Sequence, residues 1–280
     1  MSDVMPVCPV HPDRPTGIRC TRCNRPVCAE CMVSAPVGFQ CPQCASSGTP
    51  TRQPTTIAGG ALTGRPVVTY TIIGIDVLIF GLQYLVGVNN VAGDYGMWPV
   101  GIAMDGQWWR LLTAAFLHGS ILHLVFNMYV LFAFGPTLER ILGRWRFIVL
   151  FLLSALGGSV ASYVFSDVRT LSVGASGAIF GLMAALVVAG RRLRYDITQV
   201  VVLIIINVAI GFFSAGTDWR AHLGGLATGA AVAAVFVLPE RHHRRTVQIL
   251  GITVIFVGLV GVTIWRTNQI QALFAPLITG

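Results

Sequence analysis

Seven apolar runs, each about as long as a membrane-crossing helix, constrain this chain more than any other feature of its sequence. They cover residues of about 67–88, 111–135, 146–165, 173–190, 197–214, 221–238 and 247–265. About 20 apolar residues in an α-helix cross a hydrocarbon core that is about 30 Å thick. Hydrophobic residues make up 54% of the chain and charged residues only 11%, which excludes a water-soluble surface. The sequence therefore predicts an all-α, polytopic membrane protein.

The arginines between the runs predict how the chain is oriented. Nine lie in the links after the second, fourth and sixth runs and four on the opposite side: Arg140, Arg144, Arg146, Arg191, Arg192, Arg194, Arg241, Arg244 and Arg245 against Arg110, Arg169, Arg220 and Arg266. The positive-inside rule then places the N-terminus in the cytosol and the C-terminus outside. The net charge of +8 follows from this topology and does not indicate a nucleic-acid partner. Arginine in place of lysine throughout favours a bacterial origin, and hence a bacterial plasma membrane.

All seven cysteines lie near the N-terminus, in pairs that suit metal binding. The pairs are Cys8 with His11, Cys20 with Cys23, Cys28 with Cys31, and Cys41 with Cys44. These eight ligands are enough for two tetrahedral, structural zinc ions. An interleaved arrangement joins the first pair to the third and the second to the fourth, and a sequential arrangement remains open. The odd number of cysteines and the expected reducing cytosol both argue against a disulfide scaffold.

We therefore divide the chain into four segments. Residues 1–46 form a cytosolic zinc-binding module that resembles the B-box and related double zinc fingers, and this resemblance implies contact with a cytosolic protein partner. Residues 47–66 are rich in Ser, Thr, Gly and Pro, which is typical of a flexible linker. Residues 67–238 form a six-helix core, and 239–280 contain the seventh helix and the C-terminal tail. The link at 89–110 is rich in Gly and aromatic residues, which suits a loop in the membrane interface.

Polar side chains within the apolar runs are candidate functional groups, because burying them in lipid is costly. The second run carries His118, His123 and Asn127, of which the last two are four residues apart and share a helix face. His118 lies about 140° further round the same helix. The fourth run carries Ser176, one or two turns inside its helix, and the sixth begins near His222. A single such residue often serves only as an interhelical hydrogen bond, but this set makes that explanation insufficient.

Helix geometry predicts that these groups meet near the outer face. Counting 1.5 Å per residue from the arginines, Ser176 lies about 8 Å below the outer edge of the hydrocarbon core, and His222 about 6 Å higher. Tilt or the reach of the imidazole would close this gap.

Two glycine pairs predict close packing of the fourth and sixth helices. Gly177 and Gly181 form one stripe of small residues, and Gly225 and Gly229 form another. Such stripes let membrane helices approach closely. His222 lies three residues before Gly225, on the same stripe.

A serine and a histidine in contact predict nucleophilic catalysis. The imidazole of His222 would take the proton of Ser176, and no acidic residue lies near either in the apolar runs, so we expect a dyad. His123, the amide of Asn127 and the backbone N–H of Ser176 are candidate donors to an oxyanion. Phe180, one turn after the serine, would hold the imidazole ring.

A transporter is an alternative use of polar residues inside the membrane. It would be expected to show an internal repeat and polar residues through the full depth of the membrane, whereas the polar residues of this chain are expected only near the outer face.

The motifs together resemble the rhomboid family of intramembrane serine proteases. They are Trp109-Arg110, the His118/His123/Asn127 set, Leu138-Glu139-Arg140, Gly174-Ala175-Ser176-Gly177, and Ala221-His222 with Gly225 and Gly229. The resemblance covers residues 67–238 and implies a six-plus-one helix arrangement. It also implies cleavage of transmembrane helices of other proteins near the outer face, with Ser176 as nucleophile, His222 as base, and substrate passing a mobile fifth helix. The alternative is a non-cleaving relative that binds membrane clients, although such proteins usually lack the serine or the histidine.

Overall fold

The computed structural model describes residues 5–47, 55–62, 64–214 and 216–278, and it divides into two compact units, 1–53 and 54–280. In the first unit, β1 (Val33–Ser34) pairs antiparallel with β2 (Phe39–Gln40), and α1 (Pro42–Ser46) follows. Its remaining described residues are turns, bends, isolated bridges and irregular segments. Its buried core contains Val27 and otherwise cysteine side chains. So small an apolar core is typical of units that are stabilised by metal.

The second unit is a bundle of helices. They are α2 (Val67–Val86), α3 (Val88–Tyr95), α4 (Pro99–Met104), α5 (Arg110–Thr113), α6 (Ile121–Leu142), α7 (Arg144–Phe165), α8 (Ser176–Leu193), α9 (Thr198–Phe213), α10 (Trp219–Val237) and α11 (Arg244–Ile278). Within the described residues, six are long and apolar enough to cross a membrane, namely α2, α6, α7, α8, α10 and α11. The prediction of an all-α polytopic membrane protein is confirmed. The fifth predicted crossing, α9, is an apolar helix of only 16 residues.

The second apolar run was predicted as one helix from about residue 111, and this is wrong. Residues 110–116 form α5 and a 3₁₀ turn, the chain then extends, and α6 begins at Ile121. The hydroxyl of Ser120 caps α6 by accepting a hydrogen bond from the backbone N–H of His123, at 3.2 Å. Since an N-cap residue has extended backbone geometry, the helix cannot continue back through Ser120. His118 therefore lies before α6 and not on one of its faces.

The link predicted as an interfacial loop is largely helical. It contains α3 and α4, and the side chain of Arg110 holds the turn between them. One guanidinium nitrogen of Arg110 donates to the carbonyl oxygens of Gly93 and Gly96, at 2.8 and 2.9 Å. Arg110 is almost fully buried, and it satisfies backbone groups that the break between the two helices leaves free.

Helices α7, α8 and α10 form the tightly packed centre of the bundle. A Cβ atom on Gly225 would lie 2.9 Å from Gly177 Cα, and one on Gly229 would collide with the backbone of Gly181. Real Cβ contacts are essentially never this short, so the backbones of α8 and α10 approach as closely as only glycine allows. The predicted contact between the two glycine stripes is confirmed.

The carboxylate of Glu139 fixes α2 to α6 at the end of the bundle where α2 begins. It accepts hydrogen bonds from the backbone N–H groups of Val68 and Thr69, at 3.0 and 2.8 Å, and from the Thr69 hydroxyl, at 2.8 Å. These are among the first backbone N–H groups of α2, which have no partner within the helix. A negative charge there also complements the helix dipole.

The last two apolar helices differ in how they pack. Only Val200 and Gly211 of α9 are buried, so this helix is loosely attached to its neighbours α8 and α10. Helix α11, the predicted seventh helix, is tied to the bundle by its polar side chains. The Tyr163 hydroxyl hydrogen-bonds that of Thr267, at 2.8 Å, and the amide of Gln271 donates to the Ala103 carbonyl, at 2.8 Å.

Part of the segment predicted as a flexible linker is packed against the bundle. The chain folds back at residues 55–61, where Thr55 pairs with Ala61 and the N–H of Thr56 donates to the Gly60 carbonyl, at 2.9 Å. Ala58 is fully buried, and its carbonyl accepts a hydrogen bond from the amide of Gln248, at 2.9 Å. Small residues let this turn fit between helix ends. Residues 48–54 of the predicted linker lie outside the described residues.

Candidate active site

Ser176 begins α8, whereas the sequence predicted it one or two turns inside that helix. Gly174 has a φ of +134°, a conformation that L side chains rarely adopt, so the chain enters α8 through a sharp bend. The backbone N–H of Gly174 donates to the Ala114 carbonyl, at 2.8 Å, which holds the bend against the 3₁₀ turn. The serine is thereby presented at the mouth of the helix with its backbone N–H free of intrahelical bonding.

His222 lies in the first turn of α10, where Asp218 caps the helix. One carboxylate oxygen of Asp218 accepts from the backbone N–H of Ala221, at 3.1 Å. The other accepts from the hydroxyl of Ser162 on α7. Asp218 therefore fixes both the start of α10 and its position against α7, and with it the backbone that carries the histidine.

Ser176 and His222 are in direct contact, as the sequence predicted. Ser176 Oγ and His222 Nε2 are 2.9 Å apart, a hydrogen-bond distance. The ring of Phe180 stacks on the imidazole, with centroids 4.3 Å apart and planes 14° from parallel. Because the histidine is buried against this ring, its orientation toward the serine is fixed.

Among the described residues, no acidic side chain hydrogen-bonds the imidazole of His222. His222 Nδ1 is buried and has no hydrogen-bond partner among the described residues. Asp218 lies one turn away, but its oxygens bond Ser162 and Ala221 and not the imidazole. For Nε2 to accept the serine proton, Nδ1 must carry the ring hydrogen of the neutral histidine. Gly211 of α9 packs beside this nitrogen, since a Cβ there would lie 3.3 Å from it.

A small space beside Gly174 separates the serine from His123. The point that a Cβ atom of Gly174 would occupy is 2.7 Å from His123 Nε2 and 3.7 Å from Ser176 Oγ. The absence of a side chain therefore leaves room for an atom between the nucleophile and an imidazole donor. On the next turn of α6, Asn127 is buried and its Nδ2 has no partner among the described residues. An unpaired buried amide donor is expensive unless a ligand uses it.

His118 is close to these groups, but it belongs to the loop before α6. Its ring packs edge-on against those of His123 and Phe80, with centroids 5.2 and 6.5 Å away. Both backbone groups of His118 are held by the side chain of Gln83 on α2: the Oε1 accepts from the N–H at 3.0 Å and the Nε2 donates to the carbonyl at 3.2 Å.

Gln83 and the capping role of Asp218 were not predicted from the sequence. Gln83 is a polar residue inside the first apolar run, and polar residues at such positions are candidate functional groups. Asp76, on the same buried face of α2, is another such residue. Neither of its carboxylate oxygens has a partner among the described residues, and nothing in the structure assigns it a role.

The eight predicted metal ligands form two clusters in the N-terminal unit. One contains Cys8, His11, Cys28 and Cys31, the other Cys20, Cys23, Cys41 and Cys44, and within each the ligand atoms lie within 4.8 Å of one another. This is the interleaved arrangement, and sequential pairing is excluded. All seven cysteines are free.

Distances within the clusters suit zinc. The Sγ atoms of Cys23 and Cys41 are 3.7 Å apart, and His11 Nδ1 lies 3.3 Å from the Sγ atoms of both Cys28 and Cys31. Zn–S bonds of about 2.3 Å at tetrahedral angles place two sulfurs about 3.8 Å apart, whereas a disulfide requires about 2.0 Å. Cys41 is the N-cap residue of the short helix α1, and its Sγ accepts a hydrogen bond from the backbone N–H of Cys44. The first turn of this helix therefore brings the two cysteines into one cluster.

The thiols of these clusters titrate unevenly without a cation. Hydrogen bonds from backbone N–H groups lower the pKa of Cys8 to about 6, and the N–H of Cys28 makes the largest contribution. Burial raises the pKa of Cys31 to about 11, and the neighbouring Cys41 raises the pKa of Cys44 to about 12. Adjacent thiolates repel one another, so only a bound cation would stabilise all of them in the charged form that binds metal. The donor set therefore fits zinc, with Cys and His as its preferred ligands.

Both the membrane part and the N-terminal part of the chain match known protein families. A family model described as the rhomboid domain matches residues 105–239, and one described as the B-box zinc finger matches residues 3–35. The B-box match ends before Cys41, so the second cluster is completed by residues beyond it.

Among similar proteins is the rhomboid protease GluP of Bacillus subtilis, 38% identical over 185 residues, which are 63% of this chain and 36% of GluP. The putative rhomboid protease YdcA of the same species is 34% identical over 151 residues, 52% of this chain and 74% of YdcA. The rhomboid protease AarA of Providencia stuartii is 30% identical over 193 residues, 59% of this chain and 68% of AarA. The chain thus spans about a third of GluP but more than two thirds of YdcA and AarA, and it belongs to the rhomboid family.

Proposed function

We propose that this protein is an intramembrane serine endopeptidase that cleaves transmembrane helices of other membrane proteins. The observation that carries the proposal is the 2.9 Å contact between Ser176 Oγ and His222 Nε2, with the imidazole stacked on Phe180. A serine hydroxyl becomes a good nucleophile when a positioned base takes its proton, and this geometry provides that base. Membership of a family whose similar members are named proteases supports the same conclusion.

In this mechanism, Ser176 attacks a peptide carbonyl while its proton moves to His222 Nε2. The carbonyl oxygen becomes an oxyanion, which His123, the free Nδ2 of Asn127 and the backbone N–H of Ser176 stabilise. The protonated His222 then donates to the leaving amine, and water, activated by the same imidazole, hydrolyses the acyl-enzyme. His118 supports His123 through the ring contact at 5.2 Å.

Substrate reaches the dyad past α9, which is the least buried of the apolar helices around the site. An apolar groove of about 470 Å³ runs between α9 and α10, and Val208, Phe212 and Leu223 are among the residues that line it. A transmembrane helix is the apolar partner that suits such a surface. We further propose the orientation given by the arginines, with the dyad near the outer face of a bacterial plasma membrane and the N-terminus in the cytosol.

For the N-terminal module, we propose two structural zinc ions and a role in binding a cytosolic protein. Each cluster offers four protein ligands, which leaves no open position for catalysis. Full-length protein with Cys8→Ser and Cys20→Ser, one ligand from each cluster, would be compared with wild type for zinc content, protein level and partners recovered by cross-linking in cells. Unchanged partners despite loss of zinc would remove the docking role.

Labelling with a fluorophosphonate probe tests the catalytic proposal. Such a probe reacts covalently with an activated serine, so wild type should be labelled and both Ser176→Ala and His222→Ala should not. Matched controls are Ser214→Ala and His242→Ala, which remove an exposed serine and an exposed histidine and should leave labelling unchanged. Equal labelling of wild type and Ser176→Ala, or no labelling of folded wild type, would refute the dyad. In the second case, binding of membrane clients without cleavage becomes the better explanation.

A further inference from the structure

Two arginine side chains converge at the end of the bundle opposite the dyad. Arg146 lies in the first turn of α7 and Arg244 begins α11. The point that a Cβ atom of Gly59 would occupy is 3.1 Å from Arg244 Nη1 and 3.7 Å from Arg146 Nη2. The two guanidinium groups are therefore close enough to bind one small anion. Along α7, Arg146 is about 24 Å from Ser162, whose hydroxyl donates to Asp218 at the start of α10.

Neither arginine has an acidic partner among the described residues. Both ion pairs found there involve Arg14 of the N-terminal unit, with Asp13 and Glu30. Arg244 Nε is buried and has no hydrogen-bond partner in the described part of the chain. A buried guanidinium N–H without an acceptor, beside a second positive charge, is destabilising unless an anion completes the site.

The orientation of Arg146 is fixed by a buried glutamine. Gln248 Oε1 accepts from Arg146 Nε and Nη2, at 3.1 and 3.0 Å. Gln248 Nε2 donates to the carbonyls of Ala58 and Phe236, each at 2.9 Å. Because every polar hydrogen of this amide is used, Gln248 holds one edge of the Arg146 guanidinium and leaves Nη1 available. That nitrogen lies beside Gly60, where a Cβ would be 3.0 Å from it.

The turn at residues 55–61 packs beside the two arginine side chains. Its own polar groups are largely satisfied, since Gly60 N–H donates to the Thr56 hydroxyl at 2.9 Å and Gly59 N–H donates to the Thr56 carbonyl at 2.8 Å. Gly59 has a φ of +84° and no side chain, which lets the arginines approach the turn. The turn therefore packs beside both arginines and offers no negative side chain to neutralise them.

We propose that Arg146 and Arg244 together bind a phosphate group, which belongs to an anionic phospholipid headgroup or is free in solution. Guanidinium groups bind phosphate oxygens through paired hydrogen bonds, and two of them can hold one phosphate from two sides. Both arginines stand in the first turn of a helix, where the helix dipoles of α7 and α11 add to the attraction for an anion. This proposal does not depend on the proposed protease activity.

The position of the pair favours the lipid source. The apolar spans of α7 and α11 begin immediately after these arginines, so the guanidinium groups lie at the boundary between hydrocarbon and headgroups. Basic pockets between helices at this level are suited to anionic headgroups. A headgroup bound there would connect the first turn of α7, the start of α11 and the turn at 55–61.

The experiment measures ligand-dependent thermal stability of the purified full-length protein in a neutral detergent. Short-chain phosphatidylglycerol, short-chain phosphatidylcholine and inorganic phosphate are titrated separately, for wild type, Arg244→Gln and Arg245→Gln. Arg245 is the matched control, because it is the next residue of α11 and its exposed side chain carries the same charge. Arg244→Gln removes no side-chain hydrogen bond to any described residue, so it should fold, and without ligand it should be at least as stable as wild type.

We expect phosphatidylglycerol to raise the melting temperature of wild type and of Arg245→Gln, with an apparent Kd at least tenfold weaker for Arg244→Gln. A shift with phosphatidylglycerol but not with inorganic phosphate identifies the lipid, and an equal shift with both identifies free phosphate. The proposal is overturned if phosphatidylcholine stabilises as well as phosphatidylglycerol. It is also overturned if Arg244→Gln and Arg245→Gln respond alike, or if neither phosphatidylglycerol nor phosphate stabilises wild type.

Discussion

Adding one methyl group where α8 and α10 touch should separate the proposed dyad of Ser176 and His222 without altering either side chain. A Cβ on Gly225 would lie 2.9 Å from Gly177 Cα and 2.5 Å from its carbonyl carbon, and closest of all to its carbonyl oxygen, whereas ordinary contact begins at 3.4 Å. The neighbours are backbone atoms, which cannot rotate away. Helix α10 must therefore move by at least about 1 Å to restore ordinary contact distances.

This displacement acts directly on the serine and the histidine. Gly177 follows Ser176, and Gly225 is one turn after His222, so the shift is transmitted to both. The 2.9 Å separation of Ser176 Oγ and His222 Nε2 would grow to about 4 Å, beyond hydrogen-bond range. Misplacement of a reacting group by about 1 Å can reduce a rate by about 100-fold. Overpacking of this kind also destabilises a fold by about 1–3 kcal/mol.

The assay is the rate of fluorophosphonate labelling for Gly225→Ala, measured with the melting temperature of the same preparation. We expect labelling to be about 100-fold slower in protein that is still folded. Gly258→Ala on α11 is the control, because no atom of the described residues lies within 4 Å of its Cβ position, and it should label like wild type. A wild-type rate and melting temperature for Gly225→Ala would refute the reasoning, as would an equal loss in Gly258→Ala.

Three further changes test other parts of the structure. Asp218→Ala removes the carboxylate that caps α10 and accepts from Ser162, so labelling should slow by about tenfold, less than in a variant lacking the histidine; an unchanged rate would exclude this positioning role. Glu139→Ala leaves three donors of α2 without their acceptor, and each lost hydrogen bond to a carboxylate lowers the free energy of unfolding by about 1.5–3 kcal/mol. Its melting temperature should therefore fall far more than that of Arg140→Ala, which changes an exposed neighbour. Cys20→Ser should lower the zinc content measured by mass spectrometry from about two ions per chain to about one, and a content of two would contradict the assigned cluster.

The sequence predicted the parts of the fold that depend on hydrophobicity and on residue spacing. Run lengths predicted the helices because lipid leaves the backbone few alternatives to a helix. The spacing of Gly177 with Gly181 and of Gly225 with Gly229 predicted which helices touch. The contact between Ser176 and His222 followed from this pairing, which explains why helix geometry placed them correctly to within about one turn.

Helix boundaries near the site were less predictable, because hydrophobicity continues where the helix does not. Leu117 and its neighbours are apolar, yet the chain before α6 is extended, since Gln83 from another helix supplies the hydrogen bonds of His118. Such a long-range side-chain partner leaves no local pattern. Ser120 did carry a local signal as an N-cap residue. Gly174 carried a similar local signal, since a glycine with positive φ ends the extended segment two residues before Ser176.

The packed turn at residues 55–61 was also not predictable from composition. Its Thr, Ala and Gly residues are typical of a flexible segment in isolation. They pack here because Gln248 and the end of α6 provide hydrogen-bond partners for Ala58 and Thr56. Small residues suit tight burial as well as flexibility, and only tertiary contacts distinguish the two.

The distribution of unpaired polar atoms supports both proposals with one physical argument. Buried polar groups are normally hydrogen-bonded, and the carboxylate of Glu139 and the amide of Gln248 follow this rule at structural positions. By contrast, Asn127 Nδ2, near the proposed dyad, and Arg244 Nε, at the opposite end of the bundle, are buried and have no partner among the described residues. Both atoms are donors, and each belongs to a side chain for which a negative oxygen is proposed as ligand, in the first case the oxyanion of the reaction and in the second a phosphate. Since an unpaired buried donor lowers stability, a ligand that completes the hydrogen bond would stabilise the protein at each of these two positions.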